Sequence, residues 1–113
     1  MHELALCQGV VDVLREQAEV HHFDRVMTVR LEIGALSCVS AEAIEFCFAA
    51  VARGTLADGC RLELSRIPGE AFCLDCSDTV AISERHDACP RCAGHRLQLL
   101  RGDEMRIRDL EVA

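Results

Sequence analysis

CLDCSDTVAISERHDACPRC, residues 73–92, holds two Cys-x-x-Cys pairs with twelve residues between Cys76 and Cys89. Each pair turns two thiolates to one side of a tight loop, and two such loops bring four sulfurs to the corners of a tetrahedron. Structural zinc takes that geometry without penalty. Tetrahedral iron and a pair of redox disulfides are the competing readings of the same spacing. The lobe around the pairs, about thirty residues with one aromatic, Phe72, is too small to order itself unaided. A structural zinc ion contributes on the order of 10 kcal/mol to folding, enough to order it. Four protein ligands leave no open coordination position, so this metal holds shape and does no chemistry. A zinc ribbon alone names no function.

Outward from the ribbon, the periodicity changes character. Toward the N-terminus, Leu4, Cys7, Val11, Leu14 and Ala18 recur at helical spacing, widened by Leu6, Val10 and Val13, which predicts an amphipathic helix from His2 to about Val20. His21, His22, Phe23 and Asp24 break that period. VMTVRLEI alternates, with Met27, Val29, Leu31 and Ile33 on one face and Thr28, Arg30 and Glu32 on the other, as a half-buried strand does. Ser40 is placed to cap a second helix, AEAIEFCFAAVAR, with Ile44, Cys47, Phe48 and Val51 inward and Gly54 as its stop. CRLELSRI is a second strand, ended by Pro68-Gly69, and EMRIRDLEV a third, whose alternation changes phase near Arg108 to Leu110 at a bulge or at the strand's end.

The predicted fold class is α+β: a small mixed three-stranded sheet with two helices, plus an inserted rubredoxin-like zinc-ribbon lobe. Residues 1–68 and 101–113 form the α+β domain and residues 69–100 the ribbon.

Composition narrows the function. The chain has 113 residues, no Trp or Tyr and four Phe, so its core is aliphatic with cysteines filling in. Cys7, Cys47 and Cys60 fall on apolar faces as free cysteines commonly do, whereas Cys38 has no evident role. Net charge is −7, with twelve arginines and no lysine, scattered from Arg15 to Arg108. That balance, with no stacking aromatics, argues against nucleic acid as partner. Glu3 and Asp12 interrupt the first apolar stretch, and no window approaches the ~20 apolar residues that cross a bilayer, so the expected location is cytoplasmic with no membrane partner. No nucleophile–base pairing, phosphate-cradling glycine loop or open metal site appears, and the protein reads as a non-enzyme.

The opening Met-His-Glu carries a different chemistry. A histidine at position 2 offers its imidazole, its own amide nitrogen and the terminal amine of Met1 to one metal ion in two fused chelate rings. With the amide deprotonated the set is planar, which Ni(II) or Cu(II) prefers, and a fourth donor can come from the Glu3 amide or another side chain. Such a site is exposed and pH-dependent, suited to temporary holding. A solvated end with Glu3 favouring the helix dipole is the alternative.

MHELALCQGVVDVL (1–14), RVMTVRLEIGALSCVS (25–40), GCRLEL (59–64) and the ordered CLDC and CPRC pairs together resemble the HypA/HybF family of hydrogenase nickel-incorporation proteins, nearer to its HybF branch. The similarity spans nearly the whole chain. It implies a nickel metallochaperone that helps insert Ni(II) into the large subunit of NiFe hydrogenase alongside a maturation GTPase, acting as monomer or homodimer. It also implies Cys73, Cys76, Cys89 and Cys92 as structural Zn(II) ligands, and His2, with Met1 and Glu3, as the site of transiently bound nickel. His95 resembles a ribbon histidine that reaches the nickel in some relatives; the alternative is a solvated side chain. The acidic ligand that some relatives place after the first strand has no counterpart in Ser37 to Ser40. The rival function is a zinc-ribbon protein-interaction module with no role in nickel delivery.

Overall fold

The structure, a computed structural model, describes residues 2–113. Eight elements follow in order: α1 (His2–His21), β1 (Val26–Gly34), α2 (Ala41–Ala52), β2 (Arg61–Ile67), β3 (Gly69–Cys73), β4 (Asp78–Ile82), β5 (Leu97–Arg101) and β6 (Met105–Val112). The strands form two three-stranded sheets, ordered β2-β1-β6 and β4-β3-β5. The first matches the expected helix-and-sheet layer, and the second lies within the segment inserted between its second and third strands. The chain divides into two compact units, one of residues 1–31, 39–65 and 106–113, the other of 32–38 and 66–105.

In the first unit α1 buries Cys7, Val10, Val11 and Leu14, a narrower stripe than the sequence suggests, since Leu4 and Val13 remain 46% and 40% exposed. α2 begins as expected: the Ser40 hydroxyl accepts from the Ala43 N–H at 3.2 Å, satisfying a first-turn donor that has no intrahelical partner. It turns Ile44, Phe48 and Ala52 inward, and the Cys7 thiol donates to the Ile44 carbonyl at 3.6 Å.

Along β1 and β2 partner numbers rise together, Arg30 bonding Glu63 and the Ala35 N–H bonding the Ile67 carbonyl, so these strands are parallel and α2 is their crossover. β6 runs the other way, Gly34 bonding Glu104 near one end and Ala113 bonding Arg25 at the other. The sheet is mixed.

The alternation of β1 is not the one the sequence suggests at its start. Met27 is 49% exposed, while Val26 and Thr28 are buried and Val29, Leu31 and Ile33 are buried on the opposite face. Thr28 is accommodated because it hydrogen-bonds Glu111. Beside it, Arg30 bonds Glu63 at 2.9 Å, Asp109 at 2.8 Å and Glu111 at 2.9 Å. One face of the strand is therefore a partly exposed charged network. That network also explains the phase change in β6: the strand continues to Val112, and Asp109 and Glu111, two residues apart, share the face that meets Arg30.

In the second unit β3 pairs antiparallel with β4, from Gly69 opposite Ile82 to Cys73 opposite Asp78, and with β5, from Cys73 opposite Leu97 to Glu70 opposite Arg101. Leu36, Ala71, Cys73, Val80, Ile82 and Cys89 make its core. Leu36 comes from the loop after β1, held there by its N–H to the Gly102 carbonyl at 2.7 Å and by its own carbonyl, which accepts from Arg85 Nε at 2.9 Å. Backbones approach very closely at this point. A Cβ on Gly102, whose φ is +98°, would meet the Gly69 Cα at 2.6 Å, and one on Gly34 would collide with the Gly102 carbonyl.

Candidate metal centre

The four sulfurs of Cys73, Cys76, Cys89 and Cys92 lie within 4.8 Å of one another, two of them buried and Cys92 exposed. Cys73 Sγ is 3.7 Å from Cys92 Sγ, and Cys76 Sγ is 3.9 Å from Cys89 Sγ. A tetrahedral centre with Zn–S bonds of about 2.3 Å places its ligands about 3.8 Å apart. The donor set therefore fits a structural zinc ion in size as well as in chemistry.

Two loops of similar construction position these sulfurs. In each, a backbone N–H points back at the first sulfur: Cys76 N to Cys73 Sγ and Arg91 N to Cys89 Sγ, both at 3.4 Å. Each then ends in a left-handed residue directly after its second cysteine, Ser77 with φ 53° and Ala93 with φ 61°. Ion pairs flank both loops, Arg96 with Asp75 at 2.9 Å and Arg91 with Asp78 at 2.7 Å. N–H groups aimed at sulfur stabilise thiolate and orient it toward a metal.

The crowded thiols perturb one another. A hydrogen bond with Cys92 and then burial push Cys76 up to about 12. Cys89 comes down to about 7, because burial, which opposes ionisation, is outweighed by the N–H groups of Cys92 and Arg91 and by neighbouring thiols. A divalent cation ends this competition by drawing all four protons off.

The remaining expected ligands are placed differently. His2 is the exposed first residue of α1, and Met1 lies outside the described residues. Glu3 carries its carboxylate to the backbone N–H of Ser40 at 3.2 Å. Its pKa is held below the ordinary 4.5 by hydrogen bonds from its own N–H and from that of Ser40. In a capping box the third helical residue is a Glu or Gln that reaches back to the N-cap N–H. Here that residue is Ala43, and Glu3, from the other helix, performs the task. Ser40 is thus a hydrogen-bonded neighbour of the N-terminal segment that the sequence shows only as a cap; the missing acid at position 43 was the available signal.

His95 is exposed and lies outside the four-sulfur set, and His21, His22 and His86 are exposed as well. Cys7 is fully buried, Cys47 and Cys60 partly so, and Cys38 is exposed with φ 61°.

A family model described as "Hydrogenase/urease nickel incorporation, metallochaperone, hypA" matches residues 1–112. The chain belongs to the HypA family. It is 52% identical over 112 residues to the hydrogenase maturation factor HypA of Azotobacter chroococcum, with 99% of each chain covered. It is 51% identical to that of Azotobacter vinelandii over the same length. The solution structure of the Ni metallochaperone HypA from Helicobacter pylori shares the fold, with a TM-score of 0.72 over 97% of this chain and 96% of that one at 20% identity. A second HypA solution structure matches with a TM-score of 0.73 and 21% identity over all of this chain and 97% of its own. Membership makes this a nickel-incorporation metallochaperone of hydrogenase maturation, and none of its described helices is long and apolar enough to cross a membrane.

Proposed function

We propose that this HypA-family chain binds Ni(II) at Met1, His2 and Glu3 and passes it, with a maturation GTPase, into the large subunit of NiFe hydrogenase in the cytoplasm. Residues 1–68 and 101–113 act as the nickel-binding part. Cys73, Cys76, Cys89 and Cys92 hold a structural Zn(II) in the ribbon of residues 69–100, and His95 stands by as an auxiliary nickel ligand. The observation that carries the nickel site is the bond from Glu3 to Ser40, which tethers the first turn of α1 while leaving the His2 side chain exposed. The amide nitrogens of His2 and Glu3 lie in that first turn, where N–H groups have no intrahelical partner, so engaging them with metal breaks no helical bond. Imidazole and amine must be neutral and the amide must lose its proton, so affinity rises with pH.

The test is metal content and nickel titration of untagged protein beside His2→Ala, His95→Ala and a variant extended at the N-terminus. One zinc per chain is expected in all four. Nickel with the absorbance of a planar site is expected in the parent, lost in His2→Ala and in the extended protein, and weakened in His95→Ala. Equal nickel binding by the parent and His2→Ala would move the site elsewhere and leave a zinc-ribbon interaction module.

A further inference from the structure

Two cysteines outside the metal centre meet where α1 packs on α2. The Cys7 thiol, fully buried, donates to the Ile44 carbonyl at 3.6 Å. A side chain as short as cysteine touches the backbone of a neighbouring helix only where the two backbones approach closely. A disulfide, with its Cα atoms about 5.5–6 Å apart, needs the same closeness. Cys47 stands three residues after Ile44 in α2, and the γ-atom of a helical residue reaches the carbonyl three or four positions before it. One carbonyl oxygen is therefore within reach of both sulfurs. Their nearness also shows in the electrostatics: burial first, then the charges of Cys47 and Glu3, push the Cys7 thiol up to about 11. The other cysteines outside the metal centre lie elsewhere. Cys60 lines a cavity with Phe48, Ala49 and Ala52, on the flank of α2 away from Cys47, and Cys38 belongs to the second unit.

We propose that Cys7 and Cys47 are a redox modification site, closing to a disulfide that ties α1 to α2 when a low-molecular-weight disulfide of the glutathione type accumulates. Burial sets the order of events, because Cys47 is partly exposed and Cys7 is enclosed. The Cys47 thiolate attacks one sulfur of the external disulfide and expels one thiolate, which takes up a proton. Cys47 is left as a mixed disulfide. It turns about its Cα–Cβ bond toward Cys7, which gives its proton to solvent, attacks the Cys47 sulfur and expels the second thiol. Two protein thiols are thereby oxidised to one disulfide, and the external disulfide is reduced to two thiols by the two electrons and two protons released. In the reducing cytoplasm expected for this chain the pair stays as thiols, and the link reverses when external thiol returns. Cys7 follows Glu3 by one helical turn, and Glu3 already bonds the Ser40 N–H at the start of α2. Closure adds a covalent tie beside that hydrogen bond, between the same two helices.

The zinc-loaded full chain, equilibrated with graded ratios of oxidised to reduced glutathione, tests this. Free thiols are blocked with N-ethylmaleimide, and the digested protein is mapped by mass spectrometry without reduction. A peptide pair joined through Cys7 and Cys47 is expected, lighter by two hydrogens than its separate thiols, with zinc content and helical circular dichroism unchanged. Excess reduced glutathione should remove the link. Cys7→Ser should leave Cys47 carrying glutathione, and Cys60→Ser should leave the link intact. Because replacing buried Cys7 can unfold the chain, Cys47→Ser is the second variant; it should abolish the link while Cys7 stays closed to alkylation. Cys7 recovered unlinked at every ratio would overturn the proposal and leave both cysteines as core filling. A link from Cys7 to Cys38 or Cys60, or one that forms only as zinc or helical dichroism is lost, would overturn it equally.

Discussion

Gly102 is a residue at which both conformation and close backbone approach forbid a side chain. Its φ of +98° already disfavours any residue with a Cβ, and that Cβ would meet the Gly69 Cα at 2.6 Å and the Pro68 carbonyl at 3.0 Å, backbone atoms that cannot turn aside. Gly102→Ala is expected to destabilise the zinc-loaded protein by more than the ~1–2 kcal/mol of the left-handed conformation alone. Gly9 is the internal control: it is helical and nothing lies within 4 Å of its would-be Cβ, so Gly9→Ala should add about 0.5–1 kcal/mol. Denaturant titration of both variants measures the contrast, and similar midpoints would mean that the close approach at Gly102 relaxes easily. None of this is legible in the sequence, where Gly102 and Gly9 are simply glycines. The same holds for Thr28 and Met27. A period of two assigns faces, but which face receives a hydrogen-bonding partner is decided by Glu111, far along the chain.

At the scale of elements, the informative contact joins the starts of two helices. α1 and α2 were both readable from periodicity, and Ser40 was readable as a cap, because those signals are local. The bond from Glu3 to Ser40 spans 37 positions and belongs to tertiary packing, which no local pattern encodes. Its consequence is specific. Glu3→Ala removes the acceptor and frees the first turn of α1, so nickel affinity should fall although His2 is intact. Glu3→Gln keeps an oxygen for the Ser40 N–H and should retain most of that affinity. The pH dependence has a definite sign. The pKa of Glu3 is lowered by folding, so its contribution is fully present above the ordinary 4.5 and is lost as pH falls through the lower folded value. In acid the parent should therefore approach the stability of Glu3→Ala, while the two differ most near neutrality. Unfolding titrations at both pH values check this; a difference that grows in acid would place the role of Glu3 elsewhere.

For the whole molecule, the question is how far the two units depend on one metal. The four cysteines were legible because their spacing is itself the geometry. The recruitment of residues 32–38 to the ribbon's unit was not, because it rests on long-range backbone bonds from Leu36 to Gly102 and from Ala35 to Ile67. That unit has a core of six residues, and two of them, Cys73 and Cys89, belong to the metal-binding set. Stripped of zinc it keeps Leu36, Ala71, Val80 and Ile82 and exchanges an ion for four close thiols. A contribution on the order of 10 kcal/mol disappears with the metal, more than so small a core supplies. The other unit buries Cys7, Val10, Val11, Leu14, Ile44 and Phe48 around its two helices without a metal ligand among them. Exhaustive chelation, or Cys76→Ser, is therefore expected to erase the dispersed backbone signals of residues 69–101 in a nuclear magnetic resonance spectrum while leaving most of the helical dichroism. On the proposed assignment, the surviving helical part should still bind nickel through His2. Loss of both signals in one transition would show instead that zinc holds the entire chain together.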